Sequence, residues 1–390
     1  MKKPVYLDHA ATTPIDPKVL NVMISVLRDN FGNPSQSLHD YGRDALKVVQ
    51  QARLEVAELI GADPKEIVFT SGATESINLA IKGIAERFAD RGNHIITCLT
   101  EHPATLNTCK YLESKGLNEI TPLPVDPCGR IDLDQLEKAI TDKTILITLM
   151  AANNEIGTTH PIEQIGSIAQ RHGVMFHCDA TQLVGKADLN VKTCNIDLLT
   201  LSAHKIYGPK GAGALFVRHS YPPAHPIPLL HGGQQEQGLR SGTLNVPGIV
   251  GLGAACRLCR QNLPDEPQRL KNLTEKLYQG LTDALDQVTL NGHPTEKVPN
   301  ILNLSFAGVE GEALALALKN LAVSTGSACR SARLEPSHVL WALKRDNQLS
   351  QSSIRFSTGR FNTPAEIDYA VDYIAETVKK LRHINPRYPS

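Results

Sequence analysis

Between residues 66 and 218 the chain repeats one unit: a short apolar run of strand length, a polar turn, then a longer window with helically spaced apolar residues. Strands are expected at 66–70, 94–99, 118–123, 144–150, 174–178, 196–201 and 212–218, with helices near 74–88, 103–114, 132–140 and 161–172 separating the first five. Parallel strands need a crossover, and crossover helices cover both faces of a sheet, which is why such strands are apolar throughout. The repeat therefore predicts an α/β fold, a large domain around a mostly parallel, helix-covered, seven-stranded sheet. From about Val246 the pattern changes to helical windows at 246–262 and 267–287. Strands near 298–306 and 352–358 follow, with helices at 311–320, 337–345 and 364–381. This reads as a smaller α+β domain. The expected division is 13–259 for the large domain, with 1–12 and 260–390 forming the small one.

Forty basic residues balance forty acidic ones, so no net field draws the chain to nucleic acid or to an anionic membrane surface. The N-terminal lysines are not followed by an apolar segment, and the apolar runs are too short to span a bilayer. The expectation is a soluble cytoplasmic protein without a direct nucleic-acid or membrane partner. Eight cysteines show no disulfide framework. Cys256 and Cys259 form a CxxC without a second pair, which is half of a zinc site at most, so no metal is expected. Cys329 differs from the others, because it lies in the small, polar stretch STGSACRS (324–331), where a thiol is expected to be accessible.

Chemistry-bearing residues cluster just after the expected strands, where open α/β sheets place their ligands. Ser71-Gly72-Ala73-Thr74 follows the first strand and opens a helix, which suits a phosphate held on backbone amides but also a plain helix cap. Asp179 and Gln182 follow the fifth strand; a carboxylate there is either matched to a cation or caps a turn. His102 and Asn153-Asn154 follow two others. Ser202, His204 and Lys205 lie in one short turn after the sixth strand. A lone lysine there reads as a solvated side chain. Taken together, a phosphate cradle, an acid, an aromatic base and an amine suit pyridoxal phosphate: the amine for its aldehyde, the carboxylate for its ring nitrogen. Nucleotide-binding fingerprints are absent from the strand-to-helix turns.

These residues sit in segments that resemble the cysteine desulfurases of the NifS/IscS-like group. The segments are YLDHAATTP, FGNPSQ, FTSGATES, TEH, NNEIG, DATQ, SAHKIYGPKG, HGG with RSGT, STGSAC, LEPSHVL and IRFSTGRF, in one order from Tyr6 to about Phe361. The resemblance implies fold type I of the pyridoxal phosphate enzymes and a homodimer with active sites near the subunit interface. It implies that Lys205 bonds the cofactor, Asp179 pairs with the pyridine nitrogen, Gln182 bonds the ring hydroxyl and His102 lies over the ring. Ala73, Thr74, Ser202, Ala203 and His204 would line the cofactor and its phosphate, with Thr243 reaching in from the other subunit. Asn154 and Arg355 would hold the substrate carboxylate.

In the mechanism this implies, L-cysteine is the substrate, Lys205 moves its Cα proton, and the Cys329 thiolate takes its sulfur. L-Alanine and a persulfide on Cys329 result, the sulfur being destined for an acceptor such as an iron–sulfur scaffold or a thiolation enzyme. The loop HGGQQEQGLRSGT departs from the family pattern at Gln234 and Gln237, which leaves local contacts there open. The chain also stops at Ser390, short of most of the extension on which housekeeping members dock their scaffold, so the acceptor stays open. An aminotransferase or selenocysteine lyase would use Lys205 and Asp179 without Cys329. A sulfur-relay scaffold would need a bound partner for turnover.

Overall fold

In the computed structural model, residues 3–220, 223–325, 337–344 and 347–385 are described. The strands are β1 (Val5–Tyr6), β2 (Ile67–Thr70), β3 (His94–Cys98), β4 (Glu119–Leu123), β5 (Thr144–Met150), β6 (Met175–Asp179), β7 (Leu198–Ser202) and β8 (Gly213–Val217). They are followed by β9 (Val288–Asn291), β10 (Ile301–Phe306), β11 (Leu321–Ala322), β12 (Ser324–Thr325) and β13 (Ser353–Ser357). The seven strands β2 to β8 form one sheet in the order β2-β8-β7-β6-β5-β3-β4. Pairing is parallel except at β8, which runs antiparallel to both β7 and β2. The mostly parallel seven-stranded sheet expected from the repeat is thus present. Because β8 is reversed against two neighbours, β2, β3, β5, β6 and β7 all end at the same edge.

Alternate residues of these strands enter two different cores. Phe69, Ile96, Ile147, Phe176, Leu199 and Phe216 face one, packed under the helices Asp40–Ile60, Ile162–His172 and Val246–Asn262. Val68, Ile95, Ile145, Met175, Leu198 and Leu215 face the other, under Ala73–Arg87 and Pro103–Ser114. Each fully buried Phe or Leu contributes roughly 1.5–3 kcal/mol. A sheet sealed on both faces is a rigid base from which side chains at its end project. The crossover helices start and stop where local chemistry dictates. His102 caps Pro103–Ser114 by accepting from Ala104 N–H, and Gly173 ends Ile162–His172 in the left-handed conformation at φ +65°.

A third cluster, with Leu277, Leu304, Phe306, Phe356 and Ile374, lies among the helices Glu266–Ala284 and Pro364–His383 and the sheet β12-β13-β10-β9. The N-terminal stretch laces this region to the large sheet. β1 pairs with β11, and Ala10 N–H donates to Ser357 Oγ. At its other end Thr13 N–H donates to the carbonyl of His204, and Tyr207 N–H donates to Thr13 Oγ1.

The sheet contains a titratable group whose effect on stability is readable. His177 on β6 is fully buried between Thr148 Oγ1 (2.8 Å) and Thr200 Oγ1 (2.9 Å), and burial lowers its pKa to about 4. The unfolded chain takes up this proton near pH 6.5, the folded chain only near 4. Between those values the unfolded state binds more protons, so stability falls as pH falls, by roughly 3 kcal/mol over the window. Urea unfolding of His177→Gln across this range is expected to show a pH slope shallower than wild type, by up to about 1.4 kcal/mol per pH unit. Coincident slopes would contradict the assignment.

Candidate functional site

The short turn Ala203–Lys205 continues directly from β7, and β8 returns alongside it, with Ser202 and Gly213 in register. Gly213 must be small: a Cβ there would lie 2.6 Å from Gly72 Cα. That close approach sets the β2 turn beside the β7 turn. Lys205 is half-buried, and its Nζ donates to the carbonyls of Ala10 and Ala11, each at 2.7 Å. The amine is therefore held at the sheet edge by the N-terminal stretch.

Asp179 ends β6, level with Met150 of β5 and Thr200 of β7, and is buried; its Oδ1 accepts from Thr181 N–H at 3.0 Å. Gln182 is also buried, and its Nε2 donates at 3.0 Å to the Ala10 carbonyl that Lys205 uses. His102 is exposed where the β3 turn opens. Burial of its ring surroundings lowers its pKa, Lys205 and His338 act in the same direction, and Asp179 opposes them. Its Nδ1 accepts from Ala104, so the neutral ring carries its proton on Nε2. His204 lies with Nδ1 3.2 Å from Thr12 Oγ1, and burial, with Lys205 and Lys210 nearby, lowers its pKa to about 4.

A phosphate fits the start of the helix Ala73–Arg87. No side chain caps that start, so its first amides and the positive end of the helix dipole are available. Gly72 sits at φ +147°, and a Cβ there would stand 3.8 Å from the buried Ser202 Oγ, filling the space between helix start and hydroxyl. Ala73 and Thr74 open the helix, and Ala203 backs the turn with its N–H on the Ala212 carbonyl. Amine, carboxylate, amide donor and anion cradle at one edge match the aldehyde, ring nitrogen, hydroxyl and phosphate of pyridoxal phosphate. The residues present fit that group.

Arg355 on β13 is buried and faces the same region, but it is already engaged. Nη1 donates to the Asn154 carbonyl at 2.9 Å, and Nη2 to Asp8 Oδ1 at 2.8 Å and Ser324 Oγ at 3.1 Å. Its buried Nε has no hydrogen-bond partner among the described residues. Asn154 sits half-buried on the turn after β5, which its neighbour Asn153 builds by donating to Thr100 O and accepting from Glu155 and Ile156 N–H. Thr243 is exposed in the loop before the helix Val246–Asn262.

In the same loop Gln237 Nε2 donates to the Lys65 carbonyl, and Gln235 Oε1 accepts from Gly242 N–H. Glu236, at φ 48°, is buried on Arg53 and accepts from Phe69 N–H. Arg240 joins the loop to the phosphate-side helix through Glu75 at 2.9 Å. Cys256 and Cys259 are buried in a helix, and the described residues contain no group of His, Cys, Asp and Glu that could hold a metal. Cys329 lies outside the described residues.

Sequence reasoning missed two participants. The carbonyls of Ala10 and Ala11 carry no side-chain signal; only the place of YLDHAATTP among the resembling segments hinted that the N-terminus matters. Lys186 was the other. It is buried, donating from Nζ to Gln182 O at 2.9 Å and Gln182 Oε1 at 3.0 Å, and burial lowers its pKa to about 7. Its spacing four residues after Gln182 was the available signal.

The sequence matches the pattern described as aminotransferase class-V over residues 5–370. It is 49% identical over 383 residues to a protein named cysteine desulfurase IscS from Rickettsia bellii, covering 98% of this chain and 93% of that one. To the protein of the same name from an Anaeromyxobacter species it is 50% identical over 388 residues, covering 100% and 96%. Among solved structures it resembles a NifS-like protein (TM-score 0.90, 38% identity, 97% of this chain and 100% of that one). It also resembles SspA in complex with cysteine (TM-score 0.82, 39% identity, 92% and 100%).

Proposed function

The chain belongs to the aminotransferase class-V family, and on that premise we propose that it is a pyridoxal-phosphate-dependent cysteine desulfurase, taking the sulfur of L-cysteine onto Cys329 and releasing L-alanine. The observation that carries this reading is the convergence of Lys205, Asp179, Gln182 and an uncapped helix start at one edge of the sheet. When bound, pyridoxal phosphate supplies an aldehyde for an amine and an electron-withdrawing ring for charge developing at the substrate Cα. Lys205 Nζ would hold it and then carry the Cα proton. Asp179 keeps a proton on the ring nitrogen, because a buried carboxylate favours a cationic partner. Gln182 Nε2 donates to the ring hydroxyl. Ala73, Thr74, Ser202, Ala203 and His204 would hold the phosphate side, and His102, its imidazole neutral, would lie against the ring.

Arg355, exchanging part of its contact with Asp8, pairs with the substrate carboxylate beside Asn154; a guanidinium fork suits that geometry. Cys329 Sγ bonds the substrate sulfur as the carbon–sulfur bond breaks, and the carbon takes up a proton, so cysteine plus thiol becomes alanine plus persulfide. We assign residues 1–12 and 260–390 to a small domain carrying this cysteine and 13–259 to the cofactor domain. The assembly we propose is a homodimer in the cytoplasm in which Thr243 completes the partner copy's phosphate site. An acceptor protein, an iron–sulfur scaffold or a thiolation enzyme, then takes the sulfur. Among the described residues no helix is long and apolar enough to cross a membrane.

The test is to load the purified protein with pyridoxal phosphate and supply L-cysteine with a reducing thiol. Alanine and sulfide in equal amounts are expected. Transfer of the amino group to a 2-oxo acid, with the sulfur left on carbon, would overturn the reading.

A further inference from the structure

Lys186 is a buried amine that the chemistry above does not use. Both of its hydrogen bonds go to one residue: Nζ donates to Gln182 O at 2.9 Å and to Gln182 Oε1 at 3.0 Å. Gln182 Nε2 then donates to the Ala10 carbonyl at 3.0 Å, and Lys205 Nζ donates to that same carbonyl at 2.7 Å. A continuous chain of hydrogen bonds therefore runs from Lys186 through Gln182 and Ala10 to Lys205. The two lysines also line one small cavity, with His9, Tyr207 and Cys259.

An amide's oxygen and nitrogen ends have nearly the same shape, so its orientation is decided by what each end meets. Here the Lys186 ammonium offers only N–H donors to one end, and the Ala10 carbonyl is an acceptor at the other. Turning the amide over would set Oε1 against a carbonyl oxygen and Nε2 against a donor, leaving buried groups unpaired at a cost of about 1–3 kcal/mol each. We propose that Lys186 is a positioning residue for the cofactor, fixing the Gln182 amide with Nε2 toward the Lys205 side so that it donates to the ring hydroxyl. This role rests on the pyridoxal phosphate reading of the site.

The electrostatic setting is compatible with that role. Burial is the largest influence on Lys186, Lys205 and Arg355 push its pKa down, Cys259 and Glu266 push it up, and it settles at about 7. As an ammonium the group has three N–H donors and no acceptor; the neutral amine keeps two donors, the number used here, and gains one lone pair. A methionine would fill similar volume without the desolvation of an amine. The packing alone therefore gives no reason for lysine, and its hydrogen bonds to Gln182 do.

The experiment follows the visible absorption of the protein loaded with pyridoxal phosphate as a function of pH, together with its dissociation constant for the cofactor. Lys186→Met is expected to shift the pH midpoint of the band by about one unit and to weaken cofactor binding about tenfold, the equivalent of one lost hydrogen bond in a buried site. In a Gln182→Met background the same substitution is expected to change neither quantity further, because a residue acting through Gln182 has nothing left to position. Lys186→Gln, which retains an N–H donor, moves both back toward wild type and covers the case in which the methionine variant fails to fold. Equal shifts from Lys186→Met in both backgrounds would overturn the positioning role, as would an unchanged midpoint with a wild-type spectrum. If wild-type protein acquires no visible band, the cofactor reading falls and this role with it.

Discussion

Replacing Cys329 by Ala in the cofactor-loaded protein is expected to lower alanine and sulfide production from L-cysteine by about a thousandfold or more, while leaving the visible absorption of the bound cofactor unchanged. The magnitude follows from removing a nucleophile whose attack is, in the proposed mechanism, the sulfur-transfer step itself. Of the seven described cysteines six are buried, Cys128 being the half-buried exception. Burial raises the thiol pKa of Cys98 and Cys109 to about 12 and of Cys259 to about 11. It also holds Cys178, Cys194 and Cys256 above the usual thiol range, so these sulfurs stay protonated and unreactive at neutral pH. The described residues on either side of the Cys329 segment are tied to the site. Ser324 donates to Asp8 and accepts from Arg355, while His338 Nε2 lies 2.9 Å from the Glu101 carbonyl. Turnover within tenfold of wild type in Cys329→Ala would remove this cysteine from the mechanism and return the aminotransferase or lyase alternatives.

Lys205→Ala carries the other large effect, with a different signature. The proposed mechanism gives this side chain two tasks, covalent attachment of the cofactor and movement of the Cα proton, and losing a positioned proton carrier alone costs about 10²–10⁴-fold. Alanine formation is expected to fall by at least that factor, and the band of lysine-bound cofactor to disappear. Borohydride reduction followed by peptide mapping makes the comparison direct: in wild type the cofactor mass is fixed on the Lys205 peptide, and in the variant on none. Fixation on Lys186 in wild type would contradict the assignment, since Lys186 is the other lysine in the same cavity.

The strands β2 to β8 were legible within a residue or two of their ends because all but the edge strand β4 are buried on both faces and largely apolar, a pattern that a covered sheet requires. β9 was not. The helical window read over 267–287 stops just short of Val288–Asn291, a four-residue, mostly half-buried strand too short to set a period of its own. The two-residue strands β1 and β11 are too short to leave a period. At the site, Asp179 and Lys205 could be located from the strands they follow, whereas Lys186 in a polar turn reads as solvated until its burial is seen. The engagement of Arg355 by Asp8 was equally invisible, since the partners are separated by almost the whole chain. Non-local contacts of this kind depend on how the N-terminal stretch is threaded between the small sheet and the Lys205 turn.

In the proposed reaction sulfur passes from L-cysteine to one thiol of this chain. Incubating the cofactor-loaded protein with L-cysteine, blocking free thiols and weighing the peptide that contains Cys329 tests it directly. A peptide heavier by one sulfur atom, with the peptides of the other cysteines unchanged, is the predicted result. An unmodified Cys329 peptide while alanine is accumulating would contradict it.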